Sequence, residues 1–388
     1  MYLVVGAGLA GMSAAITLQK NGADVVVVEA SDRAGGRVAS DLIDGFILDR
    51  GFQLINANYS EIKNGNYLEG VDFKVAPRTV GVASADGITR LGDPRSAMFS
   101  IFSTKTGSIF AKASFLRYLT STPNENESVE EHLLRTGTSD LYQKVLKPFL
   151  QGVFLAEPSK VSAVIGREVI TSFINGKSGI PSKGVGEFAL RMADQIRDLR
   201  FNTQVEEIDS KGVVTNQGRI NATGVILATD LTTAGQLLGA QEIGRLASST
   251  TWYHSTPVAP VDNAELIVDS QVRGPVVNSI VISNLSRAYA PSGQHLISST
   301  TIRHSSESEV RRHLTQMWGT STEEWRFLAK YEINSALPLF EPGFIKREAV
   351  KIEKNIYCAG DYLESPSQNG ALLSGRKAAE QLLIDQRR

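Results

Sequence analysis

The chain has 388 residues, of which 42% are hydrophobic, enough for about two domains whose cores need neither a metal ion nor a disulfide. Its 40 lysines and arginines balance 41 aspartates and glutamates, which argues against a nucleic-acid-binding protein. The single cysteine excludes an intrachain disulfide and a redox-active cysteine pair within the chain.

The apolar segments of the sequence are short. No run of 18 apolar residues occurs, so we expect no transmembrane segment. Met1 leads directly into an apolar stretch, without the charged region that opens a signal peptide, and we therefore expect a cytoplasmic protein. Peripheral contact with a membrane and the oligomeric state both stay open.

Residues 1–30 predict a strand, a glycine-rich turn, a helix and a second strand. Gly6 allows the tight bend after the strand, Gly8 allows the backbone to approach a pyrophosphate, and Gly11 allows the helix to pack closely. The helix N-terminus offers unpaired N–H groups and the positive end of its dipole to the phosphates. Glu29 ends the second strand, where a carboxylate can accept hydrogen bonds from a ribose diol. The order of elements predicts a dinucleotide-binding unit, whose ligand contacts also include Leu9, Ala10 and Ala30.

A second glycine motif follows directly, in the sequence "SDRAGGRVAS". Gly35 and Gly36 permit another close approach of the backbone, and Arg37 can pair with a phosphate through its planar guanidinium. Arg33 belongs to the same motif, and we expect it to contact the cofactor as well. It resembles the second glycine motif of flavoproteins with two dinucleotide-binding units, which simple NAD dehydrogenases lack. Taken alone, it could also be a surface turn.

Two later segments have small residues where backbone could approach a ligand. "FILDRGFQLI" carries Gly51 and Phe52 on a strand and turn, and "AGDYLESPSQNGALLSG" precedes and begins a predicted C-terminal helix. Small side chains on one face of that helix would let the end of the helix come close to a flavin ring. Alternatively, they would let the helix pack tightly on a sheet, with no ligand bound. These residues are Gly370, Ala371, Ser374 and Gly375.

Together the motifs resemble those of the superfamily that includes flavin amine oxidases, phytoene desaturases and protoporphyrinogen oxidases. The resemblance is sharp at both ends of the chain and weak between them. It implies that Asp361, in the "GD" pair with Gly360, binds the flavin ribityl chain, and that Val205 contacts the adenine through its backbone. It also implies that the start of the last helix faces the flavin pyrimidine, through Ser367, Gln368, Asn369 and Ala371.

The resemblance implies an α/β fold with two interleaved domains. One is a Rossmann-like FAD-binding domain with a parallel sheet and a β-meander, and the other is a mixed sheet-and-helix substrate domain. We expect residues 1–80, 181–232 and 348–388 in the FAD-binding domain and residues 81–180 and 233–347 in the substrate domain.

Residues 98–119 and 145–155 are rich in aliphatic and aromatic side chains. Such stretches most often belong to a core, but they could also line an apolar substrate tunnel or touch a membrane.

By resemblance, the protein is an FAD-dependent oxidoreductase that removes hydride from a C–C or C–N bond to the flavin N5, with oxygen, a quinone or another acceptor taking the electrons. The expected substrate is a largely apolar small molecule, because the transfer of its hydride to the flavin can proceed through correct positioning of the substrate alone. Cys358 does not match the family cysteine that bonds the flavin, so we expect non-covalent FAD. No metal site is expected.

The catalytic residue stays unassigned, with His254, Tyr331 and Gln53 as weak candidates. Amine oxidases of the superfamily often place a lysine near the flavin, and residues 252–261 contain none, which puts amine oxidation in doubt without excluding it. A flavin amine oxidase and a non-catalytic escort protein of the same fold remain the alternatives. Escort proteins lose the phosphate and ribityl motifs that this chain keeps, and non-redox sugar mutases would need an arginine-rich pocket.

Overall fold

The computed structural model describes residues 1–92, 103–240, 244–344, 351–353 and 355–386. Its strands, in chain order, are β1 (Tyr2–Val5), β2 (Val25–Val28), β3 (Ser40–Ile43), β4 (Phe46–Asp49), β5 (Ile55–Asn56), β6 (Phe73–Val75), β7 (Thr79–Ser84), β8 (Gly87–Gly92), β9 (Ser178–Pro181), β10 (Leu199–Arg200), β11 (Val205–Asp209), β12 (Gly212–Thr215), β13 (Gly218–Asn221), β14 (Val225–Leu227), β15 (Leu246–Thr256), β16 (Leu266–Asp269), β17 (Val276–Val281), β18 (His295–Thr301), β19 (Arg326–Pro338), β20 (Lys351–Glu353) and β21 (Ile356–Cys358).

The helices alternate with these strands: α1 (Leu9–Lys20), α2 (Ser60–Gly65), α3 (Ile109–Thr120), α4 (Val129–Arg135), α5 (Ser139–Leu141), α6 (Lys147–Phe154), α7 (Ala163–Asn175), α8 (Gly186–Ala193), α9 (Leu231–Leu237), α10 (Ile282–Leu285), α11 (Glu307–Trp318) and α12 (Gln368–Gln386). A π-helical turn, Tyr142–Leu146, joins α5 to α6. Within the described ranges, no helix combines the length and the apolar character that crossing a bilayer requires.

A six-stranded sheet brings together three distant parts of the chain. Its strands β10, β2, β1, β14 and β21 are parallel in that order, and β20 is antiparallel at the edge. The all-valine strand β2 is buried along its whole length, as expected where both faces of a sheet are covered. Helices α1 and α12 pack on one face, while Val205 and Val213 of the antiparallel meander β11–β12–β13 pack on the other.

The carboxyl ends of the parallel strands lie along one edge of this sheet. Gly6 follows β1, Ala228 follows β14 and Gly360 lies just beyond β21. A Cβ atom on Gly6 would lie only 2.8 Å from the Ala228 carbonyl oxygen, so the turn after β1 approaches the neighbouring strand too closely for a side chain. In open α/β sheets, ligands bind at this edge.

A seven-stranded sheet, in the order β19-β15-β18-β17-β16-β7-β8, forms the second large layer. One face packs on α11 through Val310, Leu314 and Met317. On the opposite face α6 lies over β17, where Gly152 meets Asn278.

The expected fold class, α/β with a parallel sheet, a β-meander and a mixed sheet-and-helix part, is confirmed. The predicted strand Tyr2–Val5 is present, and Ser128 caps α4 through a capping box with Glu131. The helix α11 is amphipathic, and Val310, Leu314 and Met317 lie on its buried face. The proposed domain limits stay a prediction, and the limit at 347/348 lies outside the described residues.

Candidate functional site

A cavity of about 1600 Å³ runs from the carboxyl edge of the six-stranded sheet along one face of the seven-stranded sheet. This volume exceeds the roughly 300–1,000 Å³ of a pocket for a single small ligand. One end, the nucleotide half, is lined by the residues after β1, β2, β14 and β21. The other end, the substrate half, is lined by strands of the seven-stranded sheet and by α3, α6 and α7.

The two glycine turns meet on the wall of the nucleotide half. Gly8 and Gly35 form an isolated bridge, and a Cβ on Gly36 would lie 3.4 Å from the Gly8 Cα. A Cβ on Gly8 would meet no atom within 4 Å, so the backbone here borders open space. Gly11 differs, because its Cβ would lie 1.9 Å from the Gly6 carbonyl oxygen, and it does not line the cavity. The space before Gly8 is where a phosphate could approach the backbone.

Glu29 lines the nucleotide half with a fixed carboxylate. The Ala7 N–H donates to its Oε2 at 2.7 Å, and the Ser31 N–H and hydroxyl donate to its Oε1 at 2.9 and 2.8 Å. Ala30 and Val205 line the same region. A carboxylate held in this way keeps further lone pairs for a diol.

The two arginines of the second glycine motif occupy different environments. Arg33 lies outside the cavity lining and pairs with Asp32 and Asp41. Arg37 lines the cavity, and its Nη1 and Nη2 donate to the Ala336 carbonyl oxygen at 2.7 Å and to Asp361 Oδ1 at 2.8 Å. Burial lowers the pKa of Arg37, but the carboxylate of Asp361 outweighs it and raises the pKa above the ordinary value.

The last helix touches the cavity at its start only. Ser367, Gln368 and Ala371 line the cavity, whereas the Asn369 Oδ1 accepts a hydrogen bond from the Glu61 N–H outside it. Gln368 donates through Nε2 to Gln53 at 3.3 Å, but its buried Oε1 has no partner in the described part of the chain.

Three of the four small residues of α12 contact neighbouring protein atoms, which fits the alternative of tight packing. A Cβ on Gly375 would lie 2.0 Å from the Ala10 carbonyl oxygen of α1, and one on Gly370 would lie 2.1 Å from that of Ser365. The Ser374 hydroxyl accepts a hydrogen bond from the Gly360 N–H. Ala371 alone of the four lines the cavity.

The turn after β4 lies at the junction of the two halves. Gly51 has a φ of +97°, and a Cβ on it would lie 2.8 Å from Ile333. The Phe52 N–H donates to the Thr251 hydroxyl at 3.2 Å, and Gln53 Nε2 donates to the Arg37 carbonyl oxygen at 2.7 Å. All three turn residues line the cavity.

Two of the three weak catalytic candidates lie away from the cavity. His254 is fully buried against Glu307 on the opposite face of the sheet, and burial lowers its pKa to about 4. The Tyr331 hydroxyl donates to Asp41, and burial and that carboxylate raise its pKa. Neither residue lines the cavity, so the geometry supports only Gln53 among the three.

The sequence indicated only the apolar stretches of the substrate half, and the other residues of its wall were not predicted. Residues of 103–119 and 145–155 do line the cavity, while residues 98–102 lie outside the described ranges. The sheet contributes polar residues that no motif marks, namely Thr79, Ser249, Thr251, Asn278, Thr300 and Ser335. The alternation of side chains along β15 and β18 could have shown which residues of each strand share a face, but not that a cavity lies there.

Acidic and basic side chains are distributed unevenly along the cavity. The acids in the lining, as far as the structure is described, are Glu29, Asp230 and Asp361, all in the nucleotide half. The substrate half is mostly apolar, and its polar side chains include the sheet residues, Ser178 and the cations Arg78, Lys112 and Lys177.

The sequence and the fold of this chain are similar to those of known flavin-dependent oxidoreductases. The family model described as flavin containing amine oxidoreductase matches residues 9–383. Chloroplastic protoporphyrinogen oxidase of Nicotiana tabacum is 25% identical over 179 residues, which cover 41% of this chain and 30% of that protein. Putrescine oxidase of Kocuria rosea is 48% identical over 60 residues, 16% of this chain and 13% of that protein. The alignments thus span less than a third of these relatives. The structure of an oxidoreductase from Methanosarcina mazei has the same fold, with a TM-score of 0.78 and 15% identity over 98% of this chain and 99% of that one.

Proposed function

The chain belongs to the flavin containing amine oxidoreductase family, and we propose that it binds FAD non-covalently and oxidises a largely apolar small molecule. The family makes it a flavin-dependent oxidoreductase with a small-molecule substrate and an electron acceptor. One observation carries the finer proposal: a single cavity joins glycine turns with an acid suited to a dinucleotide to an apolar chamber.

The residues of the nucleotide half fit FAD. The open space before Gly8 suits a pyrophosphate, and the fixed carboxylate of Glu29 suits a ribose. The orphaned Oε1 of Gln368 suits a ring N–H at the pyrimidine edge. We assign Arg37 and Asp361 to the pyrophosphate and ribityl region, and Val205 to the adenine.

Flavin, when bound, accepts the hydride that the substrate loses. The chain's own part is to hold the ring between the Gly51–Gln53 turn and the start of α12, and to exclude water with the apolar wall. By this reasoning the segments 1–80, 181–232 and 348–388 hold the cofactor, and 81–180 and 233–347 hold the substrate.

Non-covalent binding is supported by the position of Cys358. Its thiol is buried on β21 among side chains of the six-stranded sheet, outside the cavity lining, and burial raises its pKa to about 12. Neither a cysteine nor a histidine lies among the described residues of the lining.

Oxidation of an uncharged substrate at a C–C bond, or at a C–N bond of a neutral molecule, fits the lining best. A buried ammonium group without a counter-charge is strongly unfavourable, and no acid lines the described substrate half. Amine oxidation remains the second candidate, on the strength of the family and of the local identity to putrescine oxidase. Oxygen or a quinone would take the electrons.

An anaerobic panel tests the proposal. Purified protein loaded with FAD is mixed with porphyrinogens, polyenes, alkyl alcohols and diamines, and bleaching of the flavin absorbance is followed. We expect an apolar substrate to bleach the flavin and putrescine not to. Bleaching by diamines alone would favour amine oxidation, and a colourless protein that ignores added FAD would favour a non-catalytic escort role.

A further inference from the structure

Two polar side chains stand side by side on the sheet face that borders the substrate half. Asn278 of β17 and Thr300 of β18 are direct partners in the antiparallel register, so their side chains share one face of the sheet. Both residues line the cavity and are 4% and 3% exposed. Thr251 of β15, the partner of Thr300 on its other side, also lines the cavity, but its hydroxyl already accepts a hydrogen bond from the Phe52 N–H. Other residues of the lining are apolar, among them Leu266, Ile280, Phe149 and Leu150.

Neither side chain is satisfied by the described protein. Asn278 Oδ1 and Thr300 Oγ1 are buried, and neither has a hydrogen-bond partner in the described ranges. Buried polar groups in folded proteins are nearly always paired, so an adjacent orphan pair requires an explanation. The hydroxyl can rotate and the amide can turn over, so both groups can present donors or acceptors to the cavity.

The helix above the pair makes room for the amide. Gly152 lies in α6, and a Cβ on it would lie 2.5 Å from Asn278 Nδ2. Glycine weakens a helix relative to alanine, so its presence in α6 indicates that the space it leaves is used. Here the space is taken up by the Asn278 side chain.

We propose that Asn278 and Thr300 form a polar subsite that binds one uncharged hydrogen-bonding group, able to donate and accept, of an otherwise apolar substrate. A hydroxyl group fits both partners. The subsite determines which substrates are held, and it acts by positioning rather than by chemistry. This inference rests on the proposed function, because it assigns the chamber to the substrate.

The test compares two probes of equal size by titration calorimetry on the FAD-loaded protein. 1-Octanol donates and accepts hydrogen bonds, whereas heptyl methyl ether has as many heavy atoms and only accepts. We expect wild type to bind the alcohol roughly tenfold more tightly, the scale of one hydrogen bond. The double variant Asn278→Leu with Thr300→Val, which keeps side-chain size, is expected to bind both probes equally. Ile280→Val, a neighbour on the same wall, should keep the tenfold preference.

Three outcomes would overturn the subsite: no preference for the alcohol in wild type, as for a pair that holds only water; the same preference in the double variant; or no binding of 1-octanol up to its solubility. If the double variant fails to fold, Thr300→Val alone and Gly152→Ala, which displaces the amide, must each reduce the preference. Flavin absorbance of wild type and of each variant is recorded separately, so absence of the preference in a yellow wild type refutes the subsite alone, while a colourless wild type refutes the flavin proposal.

Discussion

Arg37 and Asp361 lie 324 positions apart in the chain, yet Arg37 Nη2 and Asp361 Oδ1 are joined by an ion pair of 2.8 Å on the cavity wall. The pair links the second glycine motif to the residue after β21. Arg37 also donates to the Ala336 carbonyl oxygen of β19, so one side chain connects both large sheets. The proposed pyrophosphate and ribityl contacts therefore lie where the two ends of the chain are held together.

Replacing Arg37 should weaken FAD binding. We expect Arg37→Ala to raise the FAD dissociation constant by roughly 10- to 100-fold, because a hydrogen bond to a charged group contributes about 1.5–3 kcal/mol. The matched control is Arg33→Ala, since Arg33 belongs to the same motif but pairs with Asp32 and Asp41 outside the cavity. Flavin fluorescence titration measures both. Equal losses in the two variants would show that the motif acts through folding rather than through contact.

Two glycines of the first turn should respond in opposite ways to alanine. A Cβ on Gly8 meets open space at an ordinary φ of −74°, so Gly8→Ala should lower FAD affinity while leaving the unfolding free energy of the apoprotein nearly unchanged. A Cβ on Gly11 would collide with Gly6, so Gly11→Ala should lose about 1–3 kcal/mol of stability. Urea unfolding and FAD titration separate the two effects. A stable Gly8→Ala protein with normal FAD affinity would contradict the proposed phosphate position.

The fold and the nucleotide half could be predicted because their signals are local. A buried valine strand, a glycine turn and a terminal acid each need their residue types at fixed spacing, as in the residues from Tyr2 to Glu29. The faces of α12 could not be predicted, because small residues at helical spacing suit a helix neighbour as well as a ligand. The structure shows that Gly375 contacts α1.

The substrate half depends on contacts distant in sequence. Asn278 and Thr300 become neighbours only through the register of β17 and β18, and α6, from another part of the chain, lies against Asn278. His254 could be taken for a base because a histidine on a strand gives no sign of which face it occupies. In the fold it faces Glu307 and the buried side of the sheet.

Acid precipitation should release the flavin from the protein. Cys358 is buried outside the cavity lining and burial raises its pKa to about 12, so no reactive thiolate stands near the ring. We expect all flavin absorbance in the supernatant for wild type and for Cys358→Ala alike. Flavin that remains with the wild-type pellet would refute non-covalent binding, and its loss from the pellet in Cys358→Ala would identify the attachment point.

The pH dependence of stability should contain two opposing contributions between pH 4 and 7. Burial raises the pKa of Asp49 to about 6, although Ser40 and Tyr289 donate hydrogen bonds to it. The folded state then holds this proton more tightly than the unfolded chain, so the contribution is fully present below about pH 4 and is lost as the pH rises through 6. Burial lowers the pKa of His254 to about 4, so its contribution is present above about pH 6.5 and is lost as the pH falls through 4.

Single variants separate these two contributions, which largely cancel in wild type. The unfolding free energy of wild type minus that of Asp49→Asn should fall by about 2–3 kcal/mol from pH 4 to 7, since each pKa unit corresponds to about 1.4 kcal/mol. The same difference for His254→Gln should instead rise, by about 3 kcal/mol. Urea unfolding followed by tryptophan fluorescence at half-unit steps of pH gives both curves. Parallel curves for the two variants would contradict the assignment, because a shared slope can only come from groups that both proteins retain.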